Sequence, residues 1–184
     1  PTYNRPETLQ KTLDVLRGEN SATFDILVSD DSSTDGVENL VHIYQQSMPN
    51  LRYSKNQINL GFSRNVARLY ELAETSYVWF LCDDDSVNHG AVANIIVALE
   101  KYEPVVAIFN CTWIDSYGRK MLAGVSEDQV YTDIETFNRY DVLMRLTFLS
   151  IIVVEKALPI DPIRDDPACK DNVFVQLTLG LHLL

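Results

Sequence analysis

Three consecutive carboxylates close an apolar run in this chain: Tyr77-Val78-Trp79-Phe80-Leu81-Cys82-Asp83-Asp84-Asp85. The run reads as a buried strand. Adjacent carboxylates repel one another, so a compact fold tolerates them at a strand end mainly where a cation or a donor-rich ligand sits. Hard oxygen ligands of this kind suit Mg²⁺ or Mn²⁺, which take one or two protein carboxylates together with substrate phosphates. The plainer reading is that one aspartate caps the next helix and the others face water. An earlier companion weakens that reading. Residues 24–29 form a second strand-like run, ending in Asp30-Asp31-Ser32-Ser33-Thr34-Asp35-Gly36. Two strands, each followed by a carboxylate cluster and a helix, fit an open α/β sheet, whose ligands bind outside the carboxyl ends of the strands. The pair of clusters points to a site for a metal-bridged, phosphorylated ligand.

The elements that must carry these loops alternate. A helix is predicted over residues 6–16, with Leu9, Leu13 and Leu16 on one face and Pro6 in its first turn. Strands are predicted at 24–29, 51–54, 77–82 and 105–110. Helical stripes lie between them: Val37, Leu40, Val41 and Tyr44, then Phe62, Val66, Leu69 and Ala73, then residues 91–102. Such alternation predicts a mainly parallel central sheet with helices on both faces. After residue 110 the pattern loosens. Asp115-Ser116-Tyr117-Gly118-Arg119 is a turn signal. A helix is predicted over 133–146, a β-prone run over 148–154, a Pro-broken loop around Pro159, Pro162 and Pro167, and a last helix over 172–184.

Length and composition bound the answer. The chain has 184 residues, enough for one domain with a sizeable core. Hydrophobic content of 46% and charged content of 22% are ordinary for a globular protein. The formal net charge of −11 argues against a nucleic-acid-binding surface. It leaves room for a nucleotide, because a metal screens carboxylates from phosphates. No apolar run is long enough to cross a bilayer, and no signal peptide is visible. Cys82, Cys111 and Cys169 show no zinc spacing, and reduced thiols in the cytosol are the simplest reading. His42, His89 and His182 are scattered and form no readable catalytic arrangement. Residues 1–5 look like a loop leaving a strand, so a strand is expected before Pro1. The apolar run that reaches Leu184 leads us to expect a further segment beyond it. The chain thus reads as a fragment at its start and, by this expectation, at its end.

In order, the motifs are Pro1-Thr2-Tyr3-Asn4-Arg5, residues 29–36, Asn59-Leu60-Gly61-Phe62-Ser63-Arg64-Asn65, and Phe80 to Asp85. This ordered set resembles the family 2 glycosyltransferases of the GT-A fold. The wording from Trp79 to Asp85, with Thr147-Phe148-Leu149-Ser150 later, is similar to their abequosyltransferase-like subgroup. The resemblance implies a single GT-A domain over residues 1–184. Its first part, 1–110, would bind a nucleotide-sugar, and 111–184 would build the acceptor and catalytic half.

The resemblance also implies roles. Thr2 and Tyr3 would lie beside the base of the nucleotide, and Asp31 would accept a hydrogen bond from it. Asp30 would support the loop, and Asp35 and Gly36 would be turn and helix-start residues. Arg64 would reach the base, ribose or phosphates with its fork of donors; the alternative is a surface ion pair. The family's Asp-x-Asp begins at Cys82 if the following helix keeps its register. Asp84 is then the principal ligand of Mn²⁺ or Mg²⁺, with Asp85 assisting and Asp83 on the ribose side. A pair made of Asp83 and Asp85 remains the alternative. The family's general base is an aspartate near the start of a late helix, and Asp171 occupies that place. An N-cap is its competing role, Asp165 and Asp166 are alternatives, and Lys170 replaces the common preceding acid.

The function so implied is metal-dependent, inverting sugar transfer. The donor is a nucleotide-diphosphate sugar, and the acceptor is a hydroxyl of a saccharide or lipid-linked saccharide. The setting is bacterial surface polysaccharide (lipopolysaccharide-type) synthesis in the cytoplasm, with peripheral association at the inner face of the membrane. Nucleic acid is not an expected partner. Two other readings compete. A nucleotidyltransferase would want a Gly-rich basic phosphate loop near the N-terminus, which is not visible. A non-catalytic nucleotide-sugar or saccharide binding domain is kept open by Cys82 and Lys170.

Overall fold

The computed structural model describes residues 1–19, 24–123, 127, 129–131, 145 and 148–156. The chain alternates strand and helix as the sequence pattern requires. Helix α1 is Pro6–Gly18, β1 is Ile26–Asp30, α2 is Val37–Gln45, and β2 is Leu51–Lys55. Helix α3 is Phe62–Leu72, β3 is Tyr77–Trp79, α4 is Ala91–Tyr102, and β4 is Val106–Ile108. A hairpin follows, β5 Cys111–Ile114 and β6 Lys120–Ala123. A 3-10 turn at Leu149–Ile151 then leads into β7, Ile152–Glu155.

β1 and β2 pair in parallel, with Ile26 opposite Leu51 and Asp30 opposite Lys55. Thr2 adds a parallel bridge at Asp30. Its N–H donates to the Ser29 carbonyl at 2.9 Å, while the Asp30 carbonyl takes the Asn56 N–H at 2.8 Å. Alternate residues of a strand hydrogen-bond to opposite sides, so Thr2 and β2 flank β1. β3 and β4 are parallel to each other, because each runs antiparallel to β7, which lies between them.

The antiparallel β7 is a departure from a purely parallel reading. The β-prone run expected over 148–154 is also shorter as a strand than its composition implies. Leu149–Ile151 turns instead, which points the Ser150 groups at β3 and the acidic loop. The strand expected over 77–82 ends at Trp79, and the one expected over 105–110 narrows to Val106–Ile108. The turn expected at 115–119 closes the β5–β6 hairpin. The helix expected over 133–146 (Arg145 apart, which is helical), the Pro-broken loop and the helix over 172–184 lie outside the described residues.

Among the described residues the strands pair in three groups, β1–β2, β3–β7–β4 and β5–β6, and β3 is covered on two faces. Val78 and Phe80 pack with Val66 and Tyr70 of α3 and with Ile152 and Val154 of β7. Their neighbours Trp79 and Leu81 pack on the opposite cluster, which holds Leu9 and Leu13 of α1, Val37 and Val41 of α2, and Val92 of α4. That is the period-two alternation of a strand buried on both sides. Burying a side chain such as Val66 or Leu13 contributes roughly 1.5–3 kcal/mol. With both faces committed to the core, chemistry is left to the loops at the strand ends.

Candidate functional site: two acidic loops at neighbouring strand ends

The loop after β1 carries Asp30 and Asp31, both buried. Asp30 Oδ1 accepts the Ser33 N–H at 2.8 Å, and its Oδ2 accepts the Tyr53 hydroxyl at 2.6 Å. Burial, and then this bond to Asp30, push the Tyr53 phenol far up, so it stays a proton donor. Asp30 thus supports the loop, as expected. Asp31 Oδ1 accepts the Leu60 N–H and Asn56 Nδ2, each at 2.8 Å, and Oδ2 accepts the Gly61 N–H at 2.8 Å. The carboxylate therefore holds the entry to α3. Gly61 sits there with a φ of 84°, a left-handed conformation that a side chain would strain. Asn65, in the first turn of α3, completes the tie: its Nδ2 donates to the Ser29 carbonyl and its Oδ1 accepts the Ser29 hydroxyl. Gly36 caps α2 with a φ of 97°, matching the turn and helix-start role read for it.

Residues 2–5 are sewn to the same loop. The Asp31 N–H donates to the Thr2 carbonyl at 2.9 Å. The Asn4 N–H donates to Ser33 Oγ, and Asn4 Oδ1 accepts the Thr34 N–H. Tyr3, between these anchors, leaves its side chain 45% exposed. A tethered backbone that presents an exposed ring suits a flat ligand such as a base.

The loop after β3 is built differently. Asp83 is buried, and its Oδ2 accepts the Thr2 hydroxyl at 2.7 Å. Its Oδ1 faces Arg5 Nη1 at 3.4 Å. Thr12 of α1 donates its hydroxyl to the Asp83 carbonyl at 2.8 Å. Asp84 is exposed and meets the same Arg5 Nη1 at 3.2 Å through Oδ2. Asp85, also exposed, accepts the Ser150 hydroxyl on Oδ2, and the same Ser150 oxygen accepts the Cys82 N–H at 2.9 Å. The Ser150 carbonyl takes the indole N–H of Trp79 at 2.8 Å. Cys82 Sγ and one carboxylate oxygen each of Asp84 and Asp85 lie within 4.8 Å of one another.

This donor set fits a hard divalent cation. Asp84 and Asp85 offer solvent-facing carboxylate oxygens, which are the ligands that Mg²⁺ and Mn²⁺ prefer. The Cys82 thiol, pushed up chiefly by burial, stays protonated and is a poor ligand by itself. Asp83 has both oxygens engaged by the protein, whereas Asp84 among the described residues is bonded by Arg5 alone.

Of the residues singled out from the sequence, Thr2, Asp83, Asp84 and Asp85 come together, and Tyr3 and Asp31 lie on the adjoining loop. Arg64 is exposed in the first turn of α3, and no carboxylate pairs with it among the described residues. Asp171, with Asp165 and Asp166, lies outside the described residues. Sequence reasoning assigned no role to Arg5, Thr12, Asn56 or Ser150. Arg5 and Ser150 sat inside motifs already singled out, which was their signal. Thr12 and Asn56 had none.

The chain matches the family described as Glycosyl transferase family 2 over residues 1–147. It is 33% identical over 97 residues to the abequosyltransferase RfbV of Salmonella typhimurium, covering 50% of this chain and 29% of that protein. Its structure is similar to that of Staphylococcus aureus TarS residues 1–349, with a TM-score of 0.70, 17% identity, and coverage of 100% of this chain and 53% of that one. TarS 1–349 is also known in complex with UDP-GlcNAc. The mannosyltransferase PcManGT of Pyrobaculum calidifontis, in complex with GDP-Man and Mn²⁺, is similar with a TM-score of 0.66, 17% identity, and coverage of 100% of this chain and 50% of that one. The chain spans about a third or less of RfbV and about half of the two solved chains. These likenesses match what the two strand-end loops imply: the chain has the GT-A fold and belongs to glycosyl transferase family 2.

Proposed function

We propose that this chain is a metal-dependent inverting glycosyltransferase domain, with residues 1–110 binding the donor and residues 111–184 building the acceptor and catalytic half. It moves a sugar from a nucleoside-diphosphate sugar to a hydroxyl of a saccharide or lipid-linked saccharide in bacterial surface polysaccharide synthesis. The carrying observation is the joint between the loops. The hydroxyl of Thr2, on the nucleoside side, holds Asp83 and leaves Asp84 and Asp85 facing solvent beside it. A nucleotide laid along this edge meets Tyr3 at one end and the open carboxylates at the other. The names of the relatives, an abequosyltransferase and proteins bound to UDP-GlcNAc or GDP-Man with Mn²⁺, support the same reading.

In this reading Asp84 and Asp85 would hold Mn²⁺ or Mg²⁺, which would supply charge neutralisation for the departing diphosphate. Tyr3 stacks on the base. Asp31 retains acceptor capacity on Oδ2 for a base N–H, and Arg64 reaches the nucleotide. Asp83 lies on the ribose side. Asp171 takes the proton of the acceptor hydroxyl as its oxygen attacks the anomeric carbon. The enzyme works in the cytoplasm, at the inner face of the membrane; no helix among the described residues is long and apolar enough to cross it.

The test has two stages. Calorimetry with UDP, GDP, CDP and dTDP, each with and without Mn²⁺, should find at least one nucleotide whose binding needs the metal. Asp171→Asn should keep that affinity and lose transfer by about 10²–10⁴-fold. No binding of any nucleotide overturns the donor reading. Near-normal transfer by Asp171→Asn moves the base to Asp165 or Asp166. Binding without any donor hydrolysis or transfer leaves the non-catalytic binding domain.

A further inference from the structure

Among the described residues, Arg5 is the side-chain cation that ion-pairs with the acidic loop. A single nitrogen, Nη1, lies 3.4 Å from Asp83 Oδ1 and 3.2 Å from Asp84 Oδ2. The guanidinium has five N–H donors, and among the described residues Nη2 and Nε meet no carboxylate. Its backbone is fixed: the Arg5 carbonyl accepts the Leu9 N–H at 3.0 Å, and Pro6 follows in the first turn of α1. The side chain itself is 54% exposed, as is 58% of Asp84. Contacts this open are weak and screened, so exchanging one partner for another costs little.

We propose that Arg5 is a resident counter-cation of the acidic loop: it yields Asp84 to a divalent cation and turns its guanidinium to the diphosphate of the incoming nucleotide. The inference rests on the donor reading above and adds a phosphate-binding residue to it. Charge supplies the reason. Asp83 and Asp84 share one guanidinium and Asp85 lies beside them on Ser150, so these four side chains keep two formal negative charges, which a dication matches. Arg5 and the dication compete for Asp84 Oδ2, so the metal alone binds weakly. A diphosphate brings negative charge back. Its oxygens match the guanidinium fork in a way that one shared Nη1 on two carboxylates does not. Metal and nucleotide then bind together because the nucleotide removes the metal's competitor.

The test compares wild type, Arg5→Ala and Arg5→Lys. Mn²⁺ alone is titrated by electron paramagnetic resonance, and the four nucleoside diphosphates by calorimetry at saturating Mn²⁺. Arg5→Ala should bind Mn²⁺ alone about threefold more tightly or better, the scale of one exposed ion pair. It should bind the preferred nucleotide about ten- to a hundredfold more weakly, the scale of lost charge-assisted hydrogen bonds. Arg5→Lys should lie between on both. Opposite signs distinguish this role from damage to the fold, which weakens both ligands. Unchanged or weaker Mn²⁺ binding by Arg5→Ala, or unchanged nucleotide affinity, overturns the proposal. A wild type that binds no nucleotide overturns the donor reading and the phosphate half of this proposal with it. A wild type that binds nucleotide, with a failing Arg5→Ala pattern, overturns only the role of Arg5.

Discussion

The two acidic loops have nearly the same sequence signature and opposite physical characters. After β1, Asp30 and Asp31 are buried, and each of their oxygens accepts at least one protein donor. After β3, Asp83 is likewise occupied, but Asp84 and Asp85 are exposed. A buried carboxylate is stable only when donors replace the water it lost. An exposed one keeps its water and can exchange it for a ligand. The first loop therefore spends its carboxylates on holding shape, and the second keeps two in reserve. The comparison teaches that a cluster of aspartates at a strand end identifies a site without saying which of them bind.

Breaking the first loop should have the largest effect on folding. Asp31→Ala leaves the Leu60 N–H without its acceptor and takes one of two acceptors from the Gly61 N–H and Asn56 Nδ2, which keep Asn59 Oδ1 and Asn65 Oδ1. At about 1–3 kcal/mol for the stranded group, with a smaller loss at each of the other two, the total is roughly 2–4 kcal/mol, read by urea denaturation. An unfolding midpoint near wild type would show that Asp31 is not the tie described here. In folded protein the same change should also weaken nucleotide binding, because the base loses its proposed acceptor and the α3 entry is no longer held.

The far end of the second loop gives a smaller effect. The buried Glu19 carboxylate accepts the Gly90 N–H at 2.7 Å and the Val92 N–H at 3.3 Å. It caps α4 from the end of α1, where Gly90 has no side chain to do so. Glu19→Ala should cost about 1–2 kcal/mol, measured by thermal unfolding. It should also loosen the approach to Asp83–Asp85, so that amide exchange speeds up at Gly90 and Val92. Unchanged exchange there would separate the cap from the loop.

Asp84→Asn sharpens the contrast by doing almost nothing to folding. The residue is exposed and lies between like charges, so the change in stability should stay within about 0.5 kcal/mol. Metal-dependent nucleotide binding should fall by about tenfold or more in calorimetry, the loss of a charged ligand. A stable fold that binds poorly contrasts with Asp31, where folding itself is lost. A stability loss as large as that of Asp31→Ala would mean that both loops are structural.

The smallest effect is acid-dependent and belongs to a third aspartate. Asp115 holds the β5–β6 turn by accepting the Tyr117 and Arg119 N–H groups and Arg119 Nε. These bonds, the Arg119 N–H first, hold its carboxyl below the usual range. A depressed folded pKa supports the turn above the ordinary carboxylate pKa and withdraws that support as pH falls through the folded value. The Tyr117 and Arg119 amide shifts should thus titrate with a midpoint below 3.8, the unperturbed value. A midpoint above it would contradict the geometry of the turn.

Much of this was legible in the chain itself. Leucines at helical spacing foretold α1, and its first turn begins at Pro6 as expected. The apolar runs foretold the strands, and the carboxylates following them gather in loops at the strand ends, as expected. These are local signals, because periodicity and turn chemistry act over a few residues. What no local signal carried was the antiparallel β7 between β3 and β4, since a β-prone run does not state its neighbours. Nor did the sequence separate three adjacent aspartates of one type. Asp83 turns inward because Thr2, 81 residues away, donates to it; Asp84 is left to Arg5, and Asp85 to Ser150. Residue type and spacing determined that carboxylates would gather at these strand ends. Only the tertiary structure, by bringing distant donors to some oxygens and not others, decided which of them stay open to a ligand.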